Sequence, residues 1–244
     1  PDYALAKDGH EDYYWGMGLT AEAVANEFNI SREQSDAYAV RSHALASAAW
    51  QNGWLASEVF EMDELKSDQG IRIGTKMDTL ANLRAVFKEN GKITAGNSSQ
   101  LSDGASAVLV CSEKTADEHG WPVLAEILDY TTTGVEPKRV MIAPVSAVED
   151  LLEKNDLDIM DIDILEHNEA FAAASVAVQM VLKVPEDRFN VHGGAVALGH
   201  PLGSTGTRCL MTTINALNRT GGRKGIVTIC LGGGNAVAML IERK

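Results

Sequence analysis

Positive charge is what this sequence has least of. Its 21 Lys and Arg stand against 34 Asp and Glu, a formal net charge of -13. That balance argues against a general nucleic-acid binder, because phosphate backbones reward clustered cations. A local basic patch serving a small anionic substrate remains compatible with it. Long hydrophobic runs are missing too. No stretch approaches the roughly 18 consecutive apolar residues of a membrane-spanning helix, and the residues from Pro1 onward do not read as a signal peptide. Cysteine is scarce: Cys111, Cys209 and Cys230 are the three in the chain, too widely spaced for a disulfide framework or a zinc pattern. A reducing, cytoplasmic setting is the expectation. There is no short repeat, no low-complexity linker, and no G-x-S-x-G elbow of the kind a serine hydrolase needs.

What remains is ordinary globular material. The 244 residues are 45% hydrophobic and 23% charged, enough to bury one large or two small cores. Residues 1–101 are the more polar portion. There Thr20 is a candidate cap for a first helix through Phe28. Ser31 with Gln34 reads as a capping box for a long helix ending near Gly53. A short strand around Val59, a polar loop from Ser67 to Asp78 and a helix from Leu80 to Phe87 are expected next. A β-rich run at Ala105–Val110 opens the compact part. It is followed by a strand at Val123–Tyr130, a helix at Ser146–Lys154 and a strand at Ile162–Leu165. Helices at Ala170–Leu182 and Leu202–Asn218, then strands at Gly225–Cys230 and Val237–Ile241, complete the pattern. Alternating strand and helix predicts an α/β sheet with helices on its faces. The Ala170–Leu182 helix has no polar face, so it needs cover on every side. One small βαβ layer is not expected to supply it.

Three glycine-flanked sites in the last third carry the chemistry. Asn168-Glu169-Ala170-Phe171 follows the apolar run Ile162–Leu165. His200 sits within Gly193-Gly194-Ala195-Val196-Ala197-Leu198-Gly199-His200-Pro201-Leu202-Gly203. Cys230 closes the run Ile226–Ile229 and leads into Leu231-Gly232-Gly233-Gly234. Ligands of open α/β sheets gather at the carboxyl ends of strands, so an amide, an imidazole and a thiol could converge there. Each residue also has a plain reading. Asn168 is a good helix cap, His200 could be a hydrogen-bonded core histidine, and a free cysteine is often just buried. The settings favour chemistry. Glycines after Cys230 let backbone N–H groups approach a ligand. The thiol has an ordinary pKa of about 8.5 that nearby cations can lower. His200 lies in a tight turn just before a helix N-terminus, where neutral imidazole can take a proton. The glycines around it run G-x3-G-x2-G, which is not the dinucleotide fingerprint G-x-G-x-x-G. Cys111 and Cys209 read as core.

These motifs resemble those of the thiolases, the acetyl-CoA acetyltransferases and 3-ketoacyl-CoA thiolases, in the family's order as NEAF, GGAxALGHPLGxxG and CxGGG. The likeness extends to Met17-Gly18-Leu19-Thr20-Ala21-Glu22, Ser31-Arg32-Glu33-Gln34-Ser35-Asp36 and Thr94-Ala95-Gly96-Asn97-Ser98-Ser99. The resemblance implies a layered αβαβα sandwich. Residues 1–101 would form the loop domain over coenzyme A, 102–121 the end of the N-terminal half, and 122–244 the C-terminal half. It implies that His200 activates a nucleophilic cysteine, that Cys230 moves the α-proton, and that Asn168 with His200, and the N–H of Gly232, hold the two oxyanions. Met17, Ser99 and Phe171 would line the acyl and pantetheine channel, and Arg72 would meet the nucleotide end of coenzyme A. Arg72 reads equally well as a solvated loop cation. The family's nucleophilic cysteine would lie upstream of Pro1, so this chain by itself is expected to be inactive. Gly16 stands where the family often has histidine, and Ala85 where it has proline.

The activity implied is condensation of two acetyl-CoA to acetoacetyl-CoA and the reverse thiolysis, within fatty acid metabolism. Acyl-CoA, coenzyme A and an N-terminal thiolase half are the implied partners, in a homodimer or homotetramer. No metal, flavin or nicotinamide cofactor is implied. The rival reading is a non-catalytic thiolase-like module that binds acyl-CoA or lipid without turnover.

Overall fold

A computed structural model describes residues 9–62 and 65–244. Two helices open it. Helix α1 spans Met17–Glu27 and α2 spans Arg32–Gln51. The capping box expected for α2 is present: the Gln34 N–H donates to Ser31 Oγ and the Ser31 N–H to Gln34 Oε1. Thr20 does not cap α1. Gly16 occupies the N-cap, and the Thr20 hydroxyl, one turn in, donates to the Met17 carbonyl.

The polar middle of the chain departs most from expectation. No strand forms around Val59, and only an isolated bridge joins Met62 and Leu65. The helix expected from Leu80 to Phe87 shrinks to α3, Met77–Ala81. The Arg32 guanidinium caps the Leu80 and Leu83 carbonyls, and the chain then turns back on itself. Ala85 bridges Thr94, and the Val86 N–H donates to the Ile93 carbonyl. Asn90, with φ 54°, and Gly91 make the reversal, a turn signal that the apolar spacing masked.

Helix α4, Glu113–His119, precedes a four-stranded sheet ordered β1-β4-β3-β2. Its strands are β1 (Ala125–Gly134), β2 (Ile164–His167), β3 (Lys224–Leu231) and β4 (Asn235–Arg243). β4 pairs antiparallel with both β1 and β3, and β2 runs parallel to β3. The run Ala105–Val110 forms no strand. It stays irregular and largely exposed, with Leu109 72% and Val110 66% accessible, because no strand among the described residues lies beside it to complete its hydrogen bonds.

Helices cover both sheet faces. α5 (Ala143–Lys154) and α6 (Ala172–Leu182) pack on the face that presents Leu165, Ile226 and Leu240. α8 (Thr205–Thr220) packs on the other, against Ile164 and Ile241. The α/β class is as expected. The cover argument for the apolar helix is not. α6 lies against α1, α2 and α5 of this same chain, which bury most of it and leave Met180 48% exposed. What decided this is that the polar N-terminal portion folds directly onto α6. Among the described residues no helix is long and apolar enough to cross a membrane.

Candidate active site

Pairing of β2 with β3 sets the frame. His167 is in register with Thr228, and the next residue, Asn168, donates its N–H to the Thr228 carbonyl at 3.1 Å. Because the two strands are parallel, Asn168 and Cys230 leave the sheet at the same, carboxyl, edge. Alternation along the strand places Glu166 and Asn168 toward α8, and His167 and Glu169 toward α6 and α2. Accordingly, Arg208 of α8 bonds Glu166 at 2.7 Å, whereas His167 Nδ1 meets Ser175 Oγ of α6 at 3.1 Å. Burial pushes His167 down to about 3, which keeps it neutral and inert.

His200 reaches the same edge from a separate segment. The short helix α7 (Ala195–Leu198) ends at Gly199, whose φ of 89° favours a residue without a side chain. His200 follows, its N–H donating to the Gln100 carbonyl at 3.2 Å. Its ring lies between two partners. Nδ1 is 2.7 Å from Thr205 Oγ1, and Nε2 is 3.4 Å from Asn168 Nδ2. The Thr205 hydroxyl donates its single proton to the Pro201 carbonyl at 2.9 Å. In that arrangement it accepts from Nδ1–H, the tautomer that leaves Nε2 a lone pair facing the Asn168 amide. Burial, then the Arg208 charge, lowers the His200 pKa, so the imidazole is neutral and basic at Nε2. The Asn168 side chain is fully buried, and its Oδ1 has no partner. A buried carbonyl oxygen left open beside an imidazole nitrogen is suited to hold a water or a substrate proton.

Thr205→Val keeps the shape and removes the acceptor for Nδ1–H. We expect the His200 nitrogen resonances to shift from the Nδ1–H form toward a mixture, and stability to fall by about 1–3 kcal/mol for the orphaned donor. Unchanged imidazole nitrogen shifts in the variant would show that Thr205 does not set the tautomer.

Cys230 is partly exposed as a residue and packs against the main core, yet protein surrounds its sulfur. Burial pushes the thiol up to about 11. The expectation that cations might lower it is not met, and the thiol is protonated at neutral pH. Beyond it, Gly232 lies exposed in the β3–β4 turn, followed by Gly233 and Gly234 at φ 85° and 92°. A side chain at Gly234 would meet the Val135 carbonyl at 2.2 Å, so this turn seats against the end of β1 only with glycine there.

The segment 97–100 connects the remaining residues. The Ala172 N–H donates to the Asn97 carbonyl, Ser98 bridges Phe171, the Ser99 N–H donates to the Ala170 carbonyl, and Gln100 receives His200. Ser99 therefore sits between the residues after Asn168 and the His200 backbone. Phe171 is buried and meets Phe87 edge-on at 5.9 Å, and the Phe87 ring covers Gly18, next to Met17. Phe87 thus links Phe171 to the Gly18 backbone beside Met17, while Ser99 is held to the Ala170 backbone. Arg72 joins neither group. Its side chain is exposed on the loop, and its N–H donates to His43 Nδ1 at 3.2 Å. Cys209 is sealed in the core, where burial pushes it up to about 12, and Cys111 is exposed rather than core.

Sequence reasoning missed Thr205, Gln100 and Glu169. Thr205 was detectable only as a hydroxyl in the first turn after a histidine. Glu169 had a clearer signal: a carboxylate within an otherwise apolar run must be buried with donors around it.

Two family profiles match the chain. One, described as the thiolase C-terminal domain, covers residues 121–243, and one described as the thiolase N-terminal domain covers 4–114. An acetyl-CoA acetyltransferase of Chromobacterium violaceum is 42% identical over 250 residues, covering 98% of this chain and 64% of that protein. Human mitochondrial 3-ketoacyl-CoA thiolase superposes with a TM-score of 0.91 at 35% identity, over all of this chain and 64% of that one. The same human enzyme in complex with CoA gives 0.89 at 37% identity, over 93% of this chain and 59% of that one. The chain spans less than two thirds of the length of these relatives.

Proposed function

This chain belongs to the thiolase family, and from that premise we propose that it is the loop and C-terminal portion of a coenzyme A acyltransferase. The reaction is condensation of two acetyl-CoA to acetoacetyl-CoA and its reverse, thiolysis, in fatty acid metabolism. The observation that carries this reading is the Thr205–His200–Asn168 chain at the sheet edge shared with Cys230.

Each step uses a property of that edge. Neutral His200 takes a thiol proton on Nε2 from the acyl-accepting cysteine, and the thiolate attacks the thioester carbonyl. The departing CoA thiolate recovers the proton. A water held by Asn168 Oδ1 donates its second O–H to the oxygen of the enolising acetyl unit, joined by His200 Nε2–H while the ring carries the thiol proton, and the Gly232 N–H donates to the oxygen of the acyl-enzyme. In thiolysis the protonated Cys230 returns its proton to the α-carbon, which suits a thiol pushed up to about 11. In condensation the same group acts in reverse: after yielding its own proton to solvent, the Cys230 thiolate removes the α-proton. Met17, Ser99 and Phe171 flank the acyl and pantetheine path, and Arg72, on its exposed loop, meets the nucleotide end of coenzyme A from solvent. Coenzyme A thioesters are substrates, and no separate cofactor enters. In this reading, as the family resemblance implies, the acyl-accepting cysteine is supplied by a segment other than residues 1–244; the buried Cys209 and the acid/base Cys230 are assigned elsewhere, and Cys111 has no glycine-rich or cationic setting. A cytoplasmic homodimer or homotetramer is the assembly proposed. The rival, a binding module without turnover, gives no reason for a tautomer-fixed imidazole beside an open buried amide oxygen.

The test is acyl transfer. Residues 1–244 treated with acetyl-CoA are expected to show no acetyl adduct on any of their three cysteines by intact mass. Supplied with an N-terminal thiolase segment bearing one reactive cysteine, they are expected to acylate it and to cleave acetoacetyl-CoA in the presence of CoA. Binding of CoA without cleavage by the complemented protein would favour the module instead.

A further inference from the structure

Glu169 is fully buried, and four donors converge on its carboxylate. Oε1 accepts from the Tyr38 hydroxyl at 2.9 Å and from Asn190 Nδ2 at 2.9 Å. Oε2 accepts from the Ser42 hydroxyl at 2.6 Å and from the Val196 N–H at 3.1 Å. Each of the four partners is placed to donate. These donors come from three places that are remote in sequence. Tyr38 and Ser42 belong to α2, which packs on α6 and α7. Asn190 lies beside β2 and brackets the His167 backbone with its amide, receiving the N–H at 2.7 Å and donating to the carbonyl at 2.9 Å. Val196 opens α7, four residues before His200.

The fit is close on the remaining side as well. A side chain at Gly194 would come within 2.4 Å of the Glu169 carboxyl carbon. The Gly194 N–H donates to Ser42 Oγ at 3.2 Å, so the same hydroxyl ties the turn to the carboxylate.

We propose that Glu169 is a positioning residue that holds Asn168 and His200 in their working geometry and couples that geometry to the covering helix α2. It touches no reacting atom. It is the residue bonded to Asn168, and through Val196 and Gly194 it anchors the turn that delivers His200. Moving α2 moves Tyr38 and Ser42, and with them the carboxylate that registers the two halves of the Asn168–His200 pair. This role rests on the reading of that pair as reacting groups.

Glu169→Gln tests it. The hydroxyl donors can reverse toward an amide NH2, but Asn190 Nδ2 and the Val196 N–H cannot, and the single amide oxygen can serve only one of them, so either the tie to β2 or the anchor of α7 is lost. In the enzyme complemented with its acyl-accepting cysteine, kcat is expected to fall on the order of 10- to 100-fold, the scale of a small misplacement of reacting groups. KM is expected to stay within about twofold, since ground-state binding is untouched. The matched control is Asp163→Asn. That carboxylate receives the Arg223 and Lys224 N–H groups at the opposite end of β2, and its loss is expected to leave kcat unchanged. Imidazole nitrogen resonances of His200 should shift in Glu169→Gln and not in Asp163→Asn. This second readout needs no turnover, so it separates failure of the positioning role from failure of the thiolase reading. Ser42→Ala, which removes one donor, should produce a smaller loss of the same sign if the Gln variant does not fold. A His200 spectrum unmoved by loss of the carboxylate or of its Ser42 donor, or a kcat loss no larger than the control's, overturns the proposal.

Discussion

Replacing His200 with alanine is expected to slow acylation of the nucleophilic cysteine by about 10²–10⁴-fold, the usual yield of a positioned general base. The size follows from how completely the ring is prepared. Nδ1 is committed to Thr205, and Nε2 points its lone pair toward Asn168. Burial and the Arg208 charge lower the ring's pKa, so the base form persists below the ordinary imidazole range of about 6.5. The sign follows directly. Activity that requires neutral imidazole survives as pH falls through the ordinary value and is lost only on passing the lowered one. Single-turnover acyl-enzyme formation across pH measures both features. Acylation at the wild-type rate in His200→Ala would remove this residue from the step.

Cys230→Ala is expected to have a comparably large but differently placed effect. The acyl-enzyme should still form, because that step uses His200. Exchange of deuterium into the acetyl-CoA methyl group should fall by at least about 10²-fold, and condensation and thiolysis with it. A thiol pushed up to about 11 by burial is a weak acid that gives its proton only to a strong base such as an enolate carbon. That is what cleavage of a 3-ketoacyl thioester generates. Mass spectrometry of the acyl-enzyme beside the exchange rate separates the two steps. Exchange that persists at the wild-type rate would assign the α-proton to another group.

Much of this site was legible before any coordinates. Asn168, His200 and Cys230 stood out because each ends a strand-like or glycine-bounded run, and glycine near a chemically able side chain marks close backbone approach. The capping box at Ser31 and Gln34 was equally plain, since it is a contact over three residues. Errors arose where the outcome depended on partners. Ala105–Val110 has strand composition but no neighbouring strand among the described residues, so composition alone could not make it one. The stretch Leu80–Phe87 has helical spacing, yet a turn at Asn90 and Gly91 drew it into pairing with residues 93–94.

The sequence by itself determined the α/β order of elements, the family, and three candidate side chains, two of which, Asn168 and His200, the fold brings within 3.4 Å. Local periodicity, caps and glycine placement act over a few residues, and the chain displays them directly. Only the tertiary structure decided that α1 and α2 cover the apolar α6, that Arg72 stays on the surface, and that the Thr205 hydroxyl meets His200 Nδ1. It alone showed that Tyr38, 131 residues from Glu169, shares one carboxylate with the turn before His200. Such contacts form because burying a charge demands donors wherever the fold can bring them. Which donors arrive is decided by packing over the whole chain, and no local pattern encodes it.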